Sequence, residues 1–199
     1  TVQHLTNDHI ACLKAVAALS SPETEQEHLR LLEELLTLQR LEQLAEKYGK
    51  ASIEIQQEIK AAKENWLENK YTAHEERAKP VISKLAKGRL SVLDNENHFI
   101  HFCHFLGHQF ARTKSLRSTA NVITNRLPEK HDNQQSLAKI SMECRWFSNY
   151  LIGENFGASL YQTNHYDNYC MLTNHTEEPF ITSDQPVINV HCLLYTSPS

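Results

Sequence analysis

From Ile10 to Leu151 the apolar residues recur three and four positions apart, the period of helices that bury one face. Thr6 or Asn7 is a fitting N-cap for a first helix carrying Ile10, Leu13 and Leu19. Ser21-Pro22-Glu23-Thr24-Glu25 starts the next. Ser21 can accept from an orphan amide, Pro22 suits the first helical position, and the acids suit the positive helix end. Its stripe of Leu29, Leu32, Leu35, Leu36, Leu38, Leu41, Leu44 and Ala45 is broader than a heptad seam, which favours packed core over a free coiled coil. Gly49 is a natural stop.

A long helix is predicted from Ser52 to Lys87, with Ile55, Ile59, Ala62, Trp66, Tyr71, Ala78, Ile82 and Leu85 on its buried side. Pro80 should kink or divide it, and Gly88 ends it. Another helix starts near Asp94 and reaches Leu116 or Asn125, closed by Leu127-Pro128. The last begins near Asp132 or Asn133, carries Leu137, Ile140, Cys144, Phe147 and Leu151, and ends at Gly153.

After Gly153 the period shortens. Ser159–Gln162, Tyr169–Leu172, Phe180–Thr182 and Val187–Val190 are short runs of β-formers separated by turn residues. Helices followed by strands predict an α+β fold: mostly long helices, then a small C-terminal antiparallel β-sheet. The expected organisation is one truncated domain over residues 1–191, with helices in 8–152 and strands in 158–190. Residues 192–199, Cys-Leu-Leu-Tyr-Thr-Ser-Pro-Ser, match the translated end of a common sequencing adapter and are expected to be read-through.

Composition narrows the function classes. A chain of 199 residues that is 40% hydrophobic can bury a core, and five glycines and six prolines leave room for long helices. The net charge of -4 argues against a general nucleic-acid binder, since that task needs a basic surface. No apolar run approaches the roughly 20 residues that cross a bilayer, so no membrane partner is expected. Cys12, Cys103, Cys144, Cys170 and Cys192 are odd in number, widely spaced and form no C-x-x-C. They read as reduced thiols, and the expected location is cytoplasmic.

Three segments could carry chemistry. In the first, His101, His104, His108 and Arg112 fall within one quarter of a helical wheel, opposite Phe99, Phe102, Leu106 and Phe110. His104 and His108 have the i, i+4 spacing of two ligands on one metal. Arg112 on the same face would repel a cation, so no metal ligand is assigned; the preferred reading is solvated or hydrogen-bonded polar-face histidines, and the functional alternative is an anion pocket gripped by the Arg112 fork. In the second, His74-Glu75-Glu76-Arg77 has half of a zinc protease motif, but Ala78 stands where the second histidine would be. Glu75 or Glu76 could pair with Arg112 across two helices. In the third, Thr182-Ser183-Asp184-Gln185-Pro186 turns between two apolar runs. Asp184 there either shapes the turn or serves as a base, a metal ligand or a partner for Arg112.

These segments also carry a resemblance. Pro179-Phe180-Ile181-Thr182-Ser183-Asp184-Gln185-Pro186-Val187 is similar to the Phe-Ile-Thr-Ser-Asp-Asn-Pro-Val signature of the DUF4238 family, with Gln185 in place of Asn. Phe105 to Thr113 resembles that family's Phe-Ile-Ala-Leu-Gln-x-x-Arg-Thr-Pro pattern, with Lys114 in place of Pro, and Glu75 or Glu76 resembles a family acid. The resemblance covers residues 50 to 190 and implies that the family's opening His-x-Val-Pro-x-x-Tyr-Leu motif is missing here. The family has no established activity, so the resemblance names no reaction.

Two function classes follow. The first is a ligand-binding or metal-assisted hydrolase-like domain with a polar pocket between the histidine-bearing helix and the Thr-Ser-Asp-Gln-Pro turn. Asp184, Glu75 and Arg112 would be catalytic, with Gln109, His108, Thr182 and Ser183 binding, and a divalent metal is the candidate cofactor. The second is a non-enzymatic interaction domain that self-associates through the leucine-rich helix at 22–48.

Overall fold

The computed structural model describes residues 4–48, 53–113, 139–163 and 174–178. Their order is α1 (Asn7–Ala17), α2 (Pro22–Tyr48), α3 (Ile53–Glu64), α4 (Trp66–Leu85), a 3₁₀ helix (Leu90–Asp94), α5 (Glu96–Ala111) and α6 (Arg145–Gln162). Residues 139–143 are also helical. There is no strand among the described residues, so the α+β expectation is corrected to an all-helical architecture. The run Ser159–Gln162, read as a strand, is the last turn of α6. Its Leu160 and Tyr161 pack against the cluster that holds Val92 and Phe99, and this helical-face packing overrides their β propensity. The other three expected strands, the Thr182-Ser183-Asp184 turn and residues 192–199 lie outside the described residues.

Local signals placed most helix ends. Thr6 caps α1: its Oγ1 accepts from the His9 amide at 3.3 Å, and its own amide donates to His9 Nδ1 at 3.2 Å. With Nδ1 accepting, His9 Nε2–H is free to donate to Glu143 Oε2 at 3.0 Å, which ties α1 to the segment before α6. The expected single helix over 52–87 is two, broken at Asn65 and not at Pro80. The Asn65 amide still donates to Ala61 O and its carbonyl accepts from Asn69, so the break is a tight corner with its bonds kept. Pro80 rides on the exposed face of α4. Gly88, at φ 74°, ends that stretch with a Schellman pair: Arg89 N to Lys84 O at 3.1 Å and Gly88 N to Leu85 O at 2.9 Å.

Two apolar clusters hold the helices. The larger joins Leu13, Leu31, Leu32, Leu35, Trp66, Tyr71, Phe147, Tyr150 and Leu151, with Trp66 stacked on Phe147 at 5.5 Å. The smaller joins Val81, Val92, Leu93, Phe99 and Cys103. Fully burying one such side chain contributes about 1.5–3 kcal/mol. Between the clusters lies the most intimate pairing, α5 against α6. A Cβ at Gly107 would stand 2.2 Å from Gly153 O and 2.7 Å from Gly157 N, and one at Gly157 would stand 2.7 Å from His104 Cα. Gly153 therefore does not end a helix, as the sequence suggested, and lies with Gly157 in the interior of α6. They let two antiparallel backbones touch, which any larger side chain would forbid.

Gly107→Ala is expected to cost about 3 kcal/mol or more, because its new methyl meets backbone that cannot rotate away. Gly88→Ala, with open space but positive φ, should cost about 1 kcal/mol. Urea unfolding of both variants checks the order; equal losses would contradict the close-contact account.

Candidate metal centre

The glycine seam lays α5 along α6 so that His104 and His108, one turn apart, face Glu154. From the other side α4 brings His74. His74 Nε2 lies 2.9 Å from Glu154 Oε1, His108 Nε2 lies 3.2 Å from the same oxygen, and His104 Nδ1 lies 2.7 Å from Oε2. Glu154 is 8% exposed and His108 2%. The rings crowd one another as well, with His74 and His108 centroids 4.4 Å apart.

The individual contacts differ in kind. His108 Nε2–H donates to Glu154, which leaves Nδ1 bare and buried against Gly153. Burial pushes the His108 ring below its ordinary value, against the Glu154 charge that raises it, so it is neutral near pH 7. His104 Nδ1 is as close to the carboxylate as an ion pair, but the ring is turned so that a proton on it would miss the oxygen. His74 Nε2 faces both Glu154 and, at 2.9 Å, the Tyr150 hydroxyl. Burial and then the Glu154 charge hold Tyr150 well above the ordinary phenol range, so it stays protonated. Burial alone would raise the Glu154 carboxyl, but the imidazoles of His104, His108 and His74 set against it outweigh burial and hold it far below the usual carboxylate range.

A buried carboxylate facing several imidazole nitrogens is a donor set for a cation. One ligand atom each from His74, His104 and Glu154 lie within 4.8 Å of one another. Two ligands on one tetrahedral ion, each about 2.0–2.1 Å from it, stand roughly 3.3 Å apart and aim at the ion, not at each other. The turned His104 ring matches that pattern better than it matches a hydrogen bond.

Two histidines and one carboxylate leave coordination positions open, the hallmark of a reactive centre over a closed structural one. The side chains of His74 and His104 are 15% and 24% exposed, which gives the site a way in.

The residues singled out from sequence fare unevenly. His108 is in the centre, bonded to Glu154. Arg112 and Glu75 do meet, Nη1 to Oε1 at 2.8 Å, but on the surface beside the centre. An exposed pair of this kind contributes about 0–1 kcal/mol. The Arg112 guanidinium also lies 3.9 Å over the Tyr71 ring, so its charge is answered by Glu75 and by the ring face. Gln109 is half-buried on α5. Asp184, Thr182 and Ser183 lie outside the described residues. Sequence reasoning missed Glu154, Tyr150 and His28. Glu154 sits between Gly153 and Gly157, a small-x-x-x-small spacing within a helical apolar pattern, and that spacing was its available signal. No family model, curated protein or solved structure matches the chain.

The pH dependence of the metal-free protein follows from the buried rings. His28 and His108 both sit below their ordinary value, each through burial first. A depressed histidine is protonated more readily unfolded, so its contribution is full above about pH 6.5 and is lost as pH falls toward the folded value. Glu154, also depressed, keeps its contribution until pH falls below the ordinary carboxylate range. Denaturant stability in a chelating buffer should therefore decrease from pH 7.5 to pH 5; a flat or rising profile would refute this reading.

Proposed function

We propose that the chain is a metal-dependent domain of hydrolase type, with a divalent transition metal held by His74, His104 and Glu154. The observation that supports it most is the His104 ring, 2.7 Å from a buried carboxylate yet turned off the line of a hydrogen bond. His108 orients the carboxylate by its Nε2–H, as outer groups around metal ligands do. An ion held this way would supply a bound water of lowered pKa and a Lewis acid for a polarised oxygen. Tyr150, protonated beside His74, would offer a hydrogen bond to the same oxygen. Arg112 and Glu75 close the flank, with Arg112 lining a surface cavity of about 490 Å³ with Tyr71, Trp146 and Asn149.

The purified chain should take up one zinc or cobalt ion, and zinc at a hundredfold excess over Kd should stabilise it by about 2.7 kcal/mol. Removing an outer partner of a metal ligand costs 10–100-fold in affinity, so His74→Ala or His104→Ala should cost about 100-fold or more. Calorimetric titration of wild type and both variants is the check. Unchanged affinity in the variants, or no uptake by wild type, would defeat the proposal.

A second reading rests on a separate observation. Leu41 and Leu44 on α2 and Ile53 on α3 are 43%, 49% and 73% exposed, whereas Leu31, Leu32 and Leu35 are buried. The near half of the leucine stripe is core, and its far half is available for self-association. Light scattering behind size exclusion should then report a dimer that Leu41→Glu with Leu44→Glu dissociates; a monomeric wild type at high concentration would rule this out.

A further inference from the structure

Tyr71 stands between two sites. Its ring meets His108 and Tyr150 edge-on, each at 5.2 Å between centroids, and it also lines the surface cavity of about 490 Å³. That volume falls within the range of about 300–1,000 Å³ typical of small-molecule sites. His74, His104 and Glu154 do not line the cavity, so it is distinct from the metal centre.

The polar groups of the cavity are unevenly answered. Glu68, Tyr71 and Glu75 follow one another at one-turn spacing along α4. Arg112 lies over the Tyr71 ring and gives Nη1–H to Glu75. A guanidinium carries several N–H donors, and Glu75 is the one acceptor that the Arg112 side chain meets among the described residues. The Glu68 carboxylate, on the same cavity, has no hydrogen bond or ion pair among the described residues, and the Asn149 amide has none either. Trp146 lines the cavity too, and its Nε1–H is a buried donor with no partner among the described residues. Leaving such a donor unpaired costs about 1–3 kcal/mol. Leu67 and the Trp146 ring supply apolar lining.

A ligand that is only an anion would be repelled by Glu68, and one that is only a cation would be repelled by Arg112. A ligand with both charges meets each with its opposite, and an apolar side group then covers Leu67 and the Trp146 ring. We propose that this cavity binds a free α-amino acid with an apolar side chain. Its carboxylate pairs with the Arg112 fork and its ammonium with Glu68. Each end of a peptide carries only one of the two charges, which favours the free amino acid. No ligand of the proposed ion takes part, so this binding needs no metal.

Calorimetric titration of the purified chain in a chelating buffer, with three probes of one shape, tests the proposal. Phenylalanine carries both charges, phenylpropionate lacks the ammonium and phenylethylamine lacks the carboxylate. Wild type should bind phenylalanine about 10-fold or more tighter than either of the others, the worth of one charged hydrogen-bonded pair. Glu68→Gln should erase the preference over phenylpropionate, and Arg112→Gln the preference over phenylethylamine. The chain holds two tryptophans, Trp66 and Trp146. In NMR spectra the Trp146 indole N–H resonance should move on addition of phenylalanine, while that of Trp66, bonded to Glu34, stays in place.

Equal affinity for the three probes, or a folded wild type that binds no phenylalanine at millimolar concentration, would overturn the proposal. Tightest binding of phenylpropionate or of phenylethylamine would overturn it as well, since the cavity would then take a simple anion or cation. If Arg112→Gln does not fold, Glu68→Gln decides, because Glu68 is exposed. Zinc uptake without phenylalanine binding would leave the metal reading standing, and phenylalanine binding without zinc uptake would leave this one.

Discussion

Glu154 carries a negative charge into the middle of a helical bundle, and the packing around it answers that charge. An unpaired buried carboxylate costs several kcal/mol after relaxation, so its neighbours must donate to it or share a cation with it. Here α5 supplies two imidazoles, α4 supplies a third, and α6 supplies the Tyr150 hydroxyl one turn before Glu154. The geometry depends on α5 and α6 approaching at backbone contact, which Gly107, Gly153 and Gly157 permit. Each glycine weakens its own helix by roughly 0.5–1 kcal/mol relative to Ala. That cost is accepted where it seats two histidines against the carboxylate.

The same packing explains why the centre is half-closed. Tyr71 stands edge-on to both His108 and Tyr150 and is itself covered by Arg112. This wall shuts out water on the side of the larger apolar cluster. On the other side His74 and His104 keep partial exposure. The site thus combines a dry back, where electrostatic interactions are strong, with an entrance lined by two of the proposed ligands.

Most of the helices were legible in the sequence, because their ends carry local chemistry. Thr6, Ser21-Pro22 and Gly88 fix their termini through bonds made within a few residues. Where the reading failed, tertiary contact decided. Gly153 looks like a stop when only its own backbone freedom is considered, and becomes a helix interior once Gly107 lies against it. Ser159–Gln162 looks like a strand until Leu160 and Tyr161 are seen to reach the second core. The candidate site was legible in part. The spacing of His104 and His108 was visible, and so was the pairing of Glu75 with Arg112. The partner of the histidines was not, since Glu154 is 46 residues away from His108 and no local pattern ties a carboxylate to rings on another helix. Arg112 was read as hostile to a cation because a helical wheel shows angles and not reach; its long stem carries the charge over Tyr71 and out to Glu75.

The most direct test of the account is anomalous diffraction from crystals grown with zinc, recorded on both sides of the zinc edge. The account predicts one strong peak about 2.0–2.2 Å from His74 Nε2, His104 Nδ1 and a Glu154 oxygen. An empty centre, with Glu154 bonded only to imidazole N–H groups while zinc is bound elsewhere on the chain, would contradict it.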